Sequence, residues 1–145
     1  MADALPIMFQ GTHSDAGKSV IATAFCRIFA QDGWKTAPFK SQNMSLNSYV
    51  TPDGKEIGRA QGIQAEAAGV AARAEMNPIL IKPNREHESQ IVVLGKPYAT
   101  MQAFAYRNEF FHQGLAVIQQ SLETLMNEYD RLVIEGAGSP AEVNL

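Results

Sequence analysis

The stretch Gly11-Thr12-His13-Ser14-Asp15-Ala16-Gly17-Lys18-Ser19 constrains the fold of this chain more than any other. It lies between an apolar run, Leu5 to Gln10, and a segment from Gly17 to Gln31 in which Val20, Ile21, Ala24, Phe25 and Ile28 recur at helical spacing. A buried strand, a glycine-bracketed turn and a helix, in that order, are the setting of a phosphate-binding loop. Glycines let the backbone wrap an anion, so that amide N–H groups act as donors. The helix N-terminus adds partial positive charge. Lys18 would reach the β- and γ-phosphates and Ser19 would hold Mg²⁺ through its hydroxyl. The spacing is unusual: five residues separate Gly11 from Gly17, and Thr12 stands where a glycine often lies.

The rest of the chain continues the alternation. Gly33 is placed to end the first helix, and Trp34 to Lys40 reads as a second strand. The polar stretch Ser41 to Asp53 reads as a loop. Asp53 and Glu56 are spaced like a capping box ahead of an Ala-rich helix from about Lys55 to Arg73, with Ile57, Ala60, Gln64, Ala67 and Ala71 on one face. Pro78 and Pro83 bracket a short extended piece, and Gln90 to Leu94 reads as a strand. Phe104, Phe111, Leu115, Ile118, Leu122 and Leu125 form one stripe on a long helix, Gln102 to Glu128. Leu132 to Glu135 is a short apolar run ending in an acid, and Gly136-Ala137-Gly138-Ser139-Pro140 closes it with a turn. Strands alternating with helices predict an α/β fold around a largely parallel sheet.

Two further residues are candidates for chemistry. Glu135, at the end of an apolar strand, would lie beside the nucleotide crevice and could hold Mg²⁺ directly or through water. Lys40 ends the second strand and so faces the same sheet edge as the phosphate loop, where it could steady a transferred phosphate or a carboxylate. An exposed edge lysine would look the same. Asp53 reads as a helix cap before a metal ligand, and Asp130 as a turn residue. Lys82, Arg85 and Lys96 read as scattered solvated charges.

Composition excludes other classes. The single cysteine, Cys26, allows no disulfide framework and no cysteine-based zinc site, and its apolar surroundings predict a buried, inert thiol. One cysteine fits a reducing compartment, most simply the cytoplasm. His13, His87 and His112 have no short ligand spacing. A net charge of −3 gives no global pull toward nucleic acid or anionic lipid. No apolar run approaches the ~18–20 residues of a membrane helix. The chain stops five residues after Pro140 with no closing element, and so reads as a piece of a longer protein.

The loop Gly11 to Ser19 resembles the modified phosphate loop of the dethiobiotin synthetase-like ATPases. Within that group, Phe39-Lys40-Ser41-Gln42-Asn43-Met44-Ser45-Leu46-Asn47-Ser48 is similar to the cobyric acid synthase family. So are Asp53 to Gln61, Met76 to Pro83, and Glu135-Gly136-Ala137-Gly138-Ser139-Pro140-Ala141-Glu142-Val143-Asn144-Leu145. The resemblance covers essentially the whole chain. It implies a three-layer P-loop NTPase fold with a mostly parallel sheet, dethiobiotin synthetase-like and truncated.

It also implies an activity. Cobyric acid synthases are glutamine-dependent amidoligases of cobalamin biosynthesis. They convert peripheral carboxylates of adenosylcobyrinic acid a,c-diamide, a corrinoid, to amides through acyl phosphates made with ATP. By similarity, Gly11, Thr12, His13, Ser14, Asp15, Ala16, Gly17, Lys18 and Ser19 bind the nucleotide, Ser19 and Glu135 serve Mg²⁺, and Lys18 and Lys40 are catalytic. Family members are several times longer and add a glutaminase domain with its own cysteine and histidine, which Cys26 does not match. Residues 1–145 would then be the N-terminal part of the ATP-binding domain, inactive alone, with ammonia supplied by the absent glutaminase. No nucleic acid or membrane partner is implied, and a homo-oligomer is left open.

Three other readings compete. A dethiobiotin synthetase or another carboxylate-activating relative would need no glutaminase, but the Ser41-Gln42-Asn43-Met44-Ser45 loop speaks against it. A partition-type ATPase would carry an early lysine in the loop, where Thr12, His13 and Ser14 stand. The last is a nucleotide-binding domain without catalysis.

Overall fold

A computed structural model describes residues 4–84 and 87–139. Its centre is a three-stranded parallel sheet of β1 (Leu5–Phe9), β2 (Thr36–Phe39) and β9 (Arg131–Glu135), in the order β1-β9-β2. The strand latest in sequence is therefore the middle one, with Phe9 and Phe39 level with Glu135 and Ile134. Neighbouring residues of β9 serve opposite faces, as the two-residue period of a strand demands. Leu132 joins a cluster with Phe39 and Leu125, and Val133 joins one with Ala22 and Cys26. Helix α1 (Lys18–Gln31) covers the second face, and α4 (Phe111–Glu128) packs on the first. These are the three layers expected. Gly33 follows α1 at φ 86°, as its end requires.

A second sheet has the order β3-β6-β7-β8, formed by Gln42–Met44, Ile79–Pro83, Glu88–Val93 and Lys96–Gln102. Strands β3 and β6 are parallel and the other two pairings antiparallel. A hairpin of β4 (Ser48–Val50) and β5 (Glu56–Gly58) leads into α2 (Arg59–Ala67), which packs against α1 and β2.

Several expectations are corrected. Strand β1 pairs only with β9 among the described residues and so stands at an edge, with Leu5 and Met8 more than half exposed. It is not the buried strand its apolar run predicts. The stretch Ser41 to Asp53 contains β3 and β4. Asp53 and Glu56 cap no helix. Asp53 sits in the hairpin turn, where Thr51 Oγ1 donates to its carboxylate at 2.6 Å, and Glu56 begins β5. Pro52-Asp53-Gly54 is a turn sequence, and it outweighed the capping pattern. Helix α2 accordingly starts four residues late and ends before Gly69, which adopts φ 71°. Lys82 is paired, donating to Glu56 at 2.6 Å, and Arg85 lies outside the described residues, as does Pro140.

The long helix is also interrupted. Strand β8 ends at Gln102, one α-helical turn (α3, Ala103–Ala105) follows, and Tyr106–Phe110 form a π-helical turn before α4. The wider turn shifts the helix face by about one residue. Phe110 therefore points inward and is fully buried, whereas Phe104 and Phe111 of the expected stripe are exposed. Ile118, Leu122 and Leu125 keep their expected places.

Candidate functional site

The loop after β1 carries two left-handed residues, Asp15 (φ 62°) and Gly17 (φ 88°). A side chain at Gly17 would be strained there, so glycine is the residue the curl requires. Gly11 is closely packed: an added Cβ would lie 3.1 Å from Lys18 Cγ and from Ala16 Cβ, so those neighbours would have to shift. The stem of Lys18 thus folds over Gly11, and its Nζ donates to the His13 carbonyl at 3.2 Å. Thr12 and His13 are exposed and touch each other at 3.1 Å, Thr12 Oγ1 to His13 Nδ1. Ser14, Asp15 and Ala16 are exposed as well. Gly17 precedes α1 without any side-chain cap, which leaves N–H groups of the first turn available to an anion.

Glu135 is 2% exposed and is the hub of the site. Its Oε1 accepts from Lys40 Nζ at 2.7 Å and Ser19 Oγ at 2.8 Å. Its Oε2 accepts from Gln64 Nε2 at 2.9 Å and Gln61 Nε2 at 3.3 Å. Burial, the largest influence, raises the carboxyl's pKa, but the donors Lys40, Gln64 and Ser19 together outweigh it and hold it below the ordinary value. Strand geometry explains the meeting. Strands β1, β9 and β2 are parallel, so the phosphate loop, Glu135 and Lys40 all leave the sheet at its C-terminal edge, where ligands of open α/β sheets bind.

The predicted residues are therefore brought together, with Lys40 paired to Glu135 where sequence alone left it open to be an edge charge. Asp130 and Asp53 stand apart; Asp130 accepts from the Lys35 backbone N–H at 2.9 Å. Sequence reasoning missed Gln61 and Gln64. The signal was an amide within the apolar face of an Ala-rich helix, where burial demands a partner.

The donor set suits a hard cation. Ser19 Oγ and Glu135 Oε1 are the oxygens that could hold such a cation; here Ser19 donates to Glu135 and Lys40 Nζ shares the same carboxylate oxygen. A cleft of about 1280 Å³ opens over these groups. Lys18, Ser19, Lys40 and Glu135 line its polar end; Ile79, Ile91, Phe110 and Ile118 line the apolar one. Cys26 is outside it, buried in α1, with burial pushing its thiol up to about 12. Among the described residues no helix is long and apolar enough to cross a membrane.

Fold and site together define a phosphate-loop nucleotide-binding domain. Residues 7–138 match the CobQ/CobB/MinD/ParA nucleotide binding domain family, and the chain belongs to that family. It is 94% identical over all 145 residues to the cobyric acid synthase of Geobacillus kaustophilus, of which it covers 29%. It is 60% identical over 145 residues to that of Desulforamulus reducens, covering 28%. The chain thus spans less than a third of the length of these curated relatives.

Proposed function

We propose that this chain is the N-terminal, Mg·ATP-binding part of a cobyric acid synthase, its glutaminase domain lying outside these 145 residues. In this reading the whole protein amidates peripheral carboxylates of adenosylcobyrinic acid a,c-diamide with ATP and glutamine-derived ammonia. The observation that carries it is the meeting of Ser19, Lys40 and Glu135 beside the phosphate loop, with Lys40 and Ser19 both on Glu135 Oε1. The identity to cobyric acid synthases supports this choice of reaction.

The chemistry suits these parts. A carboxylate is a poor electrophile for ammonia. Its oxygen attacks the γ-phosphorus of ATP, the bond from that phosphorus to the β–γ bridging oxygen breaks, and ADP leaves. Ammonia then attacks the acyl carbon, the carbon–oxygen bond to phosphate breaks, and phosphate departs as the nitrogen loses a proton. Lys18 would leave the His13 carbonyl for the β- and γ-phosphates. Lys40 would balance charge on the transferred group or orient the carboxylate. Ser19 and Glu135 would hold Mg²⁺, which neutralises phosphate charge during transfer. The cleft, about 1280 Å³, exceeds the ~300–1,000 Å³ usual for one small ligand, leaving room for a second substrate.

The test is binding of a fluorescent ATP analogue to the intact protein, together with ADP formation dependent on the corrinoid. Lys18→Ala removes one charged donor worth about 1.5–3 kcal/mol, so affinity should fall roughly 10- to 100-fold with the melting midpoint unchanged. Retained affinity would overturn the phosphate-loop assignment. Absence of corrinoid-dependent ADP release would overturn the reaction.

A further inference from the structure

Gln61 and Gln64 do something that neither the phosphate loop nor the strand ends supply. Both are completely buried and stand three residues apart on α2, so one helical turn presents both amides to the same side. Each sends its Nε2 to Glu135 Oε2, Gln64 at 2.9 Å and Gln61 at 3.3 Å. The opposite oxygen, Oε1, takes Ser19 and Lys40 from the cleft. The two carboxylate oxygens are thereby sorted. One is committed to neutral, buried donors, and the other to groups that line the cleft. A carboxylate held at one oxygen can still turn about its last bond; one held at both cannot.

The amides are themselves anchored. Gln61 Oε1 accepts from Asn43 Nδ2 of β3 at 3.2 Å, and Gln64 Oε1 accepts weakly from Gln61 at 3.5 Å. The backbone is shaped to leave them room: a Cβ at Gly58 would stand 2.3 Å from Asn43 Nδ2 and 2.9 Å from Gln61 Oε1. A chain of side-chain amides thus runs from a cleft-lining strand, through α2, to the acid at the end of β9. Substituting either glutamine by an apolar residue would also leave a buried oxygen of Glu135 short of a donor, which is costly in itself.

We infer that Gln61 and Gln64 are positioning residues for Glu135, locking its Oε2 so that Oε1 is aimed at the cleft and thereby setting the site's affinity for a divalent cation that neither glutamine touches. This rests on the cation role proposed above for Glu135. Partners that orient a metal ligand typically change metal affinity 10- to 100-fold when removed.

The experiment uses the intact protein and Mn²⁺ as a paramagnetic probe, titrated in the presence of a saturating non-hydrolysable ATP analogue. Nucleotide affinity is measured separately in a chelator. Gln64→Met is expected to weaken Mn²⁺ binding about 10-fold or more, with metal-free nucleotide affinity within a factor of about two. Gln61→Met, whose bond is longer, should give a smaller loss in the same direction. Unchanged Mn²⁺ affinity in both variants would overturn the inference, as would equal losses with and without metal, which mark a merely structural role. Should Gln64→Met lose its cooperative melt, Gln61→Met decides on the same terms. Glu135→Ala separates the two levels. If it abolishes the Mn²⁺ increment while the glutamine variants keep it, the positioning role alone fails; if it leaves the increment intact, the cation reading of the site fails too.

Discussion

The two sheets of this molecule bury their strands by different means. Strand β9 has a parallel neighbour on each side and helices over both faces, so Leu132 and Val133 are both fully buried. In the second sheet, β8 is an edge whose residues are mostly exposed, and the packed face rests on Ile79, Ile91 and Phe110, the last residue of the π turn before α4. The polar hub of the cleft, Lys18, Ser19, Lys40 and Glu135, belongs to the first region and most of its apolar wall to the second. A charge such as Glu135 is tolerated where packing is tight enough to fix four donors around it. The looser region contributes apolar surface together with Gln42, Asn43, Ser89 and Arg107.

The largest expected effect tests how the second region is held. Phe110→Ala should cost about 3–5 kcal/mol, the usual range for a buried aromatic, whereas Phe111→Ala, an exposed neighbour, should change stability by about 0.5 kcal/mol or less. Denaturant unfolding of both variants checks this. Equal costs would mean that the π turn does not set the inward face, and the contrast between the regions would collapse.

A smaller effect sharpens the first region. The folded carboxyl of Glu135 titrates below its ordinary value. Its contribution is therefore complete above the unfolded-chain pKa, about 4.3–4.5, and is lost as pH falls through the lower folded value. Melting midpoints should show no such dependence between pH 6 and 8 and should fall below about pH 5. Glu135→Gln should flatten part of that fall. A variant with the same acid slope as the parent would show that the hub carries no net electrostatic stabilisation. The smallest effect concerns α1. With its thiol pushed up to about 12, Cys26 should resist a thiol reagent at pH 8 in the folded protein and react on unfolding. Rapid native labelling would show that this face of the sheet opens.

The same contrast governs what could be read from the chain. Strands β1, β2 and β9 and helix α1 were legible because short apolar runs, a glycine-bracketed loop and a 3.6-residue period each point to one structure. The second region sends mixed signals. Lys96 to Gln102 follows a two-residue turn, Leu94-Gly95, yet its exposed edge lacks the apolar alternation that marks a strand. A stripe from Phe104 onward is continuous on paper, and only an inserted π residue, set by packing of Phe110 against Gly114 and Ile79, breaks it. In the site, the loop, Lys40 and Glu135 were visible from residue type and position at strand ends. Gln61 and Gln64 were not, because an amide's partner is chosen by tertiary proximity, here across 74 and 71 residues of sequence.

The order β1-β9-β2 has a kinetic consequence. The first two strands do not pair with each other; each waits for a partner more than 90 residues further along the chain. Closing loops of that size costs entropy before any contact rewards it, which slows folding. On a ribosome the phosphate loop and α1 would emerge early, but the sheet that orients them would close only after β9 had left the exit tunnel. Nucleotide capture would therefore begin as a late, single event, when the centre strand and its terminal acid arrive together.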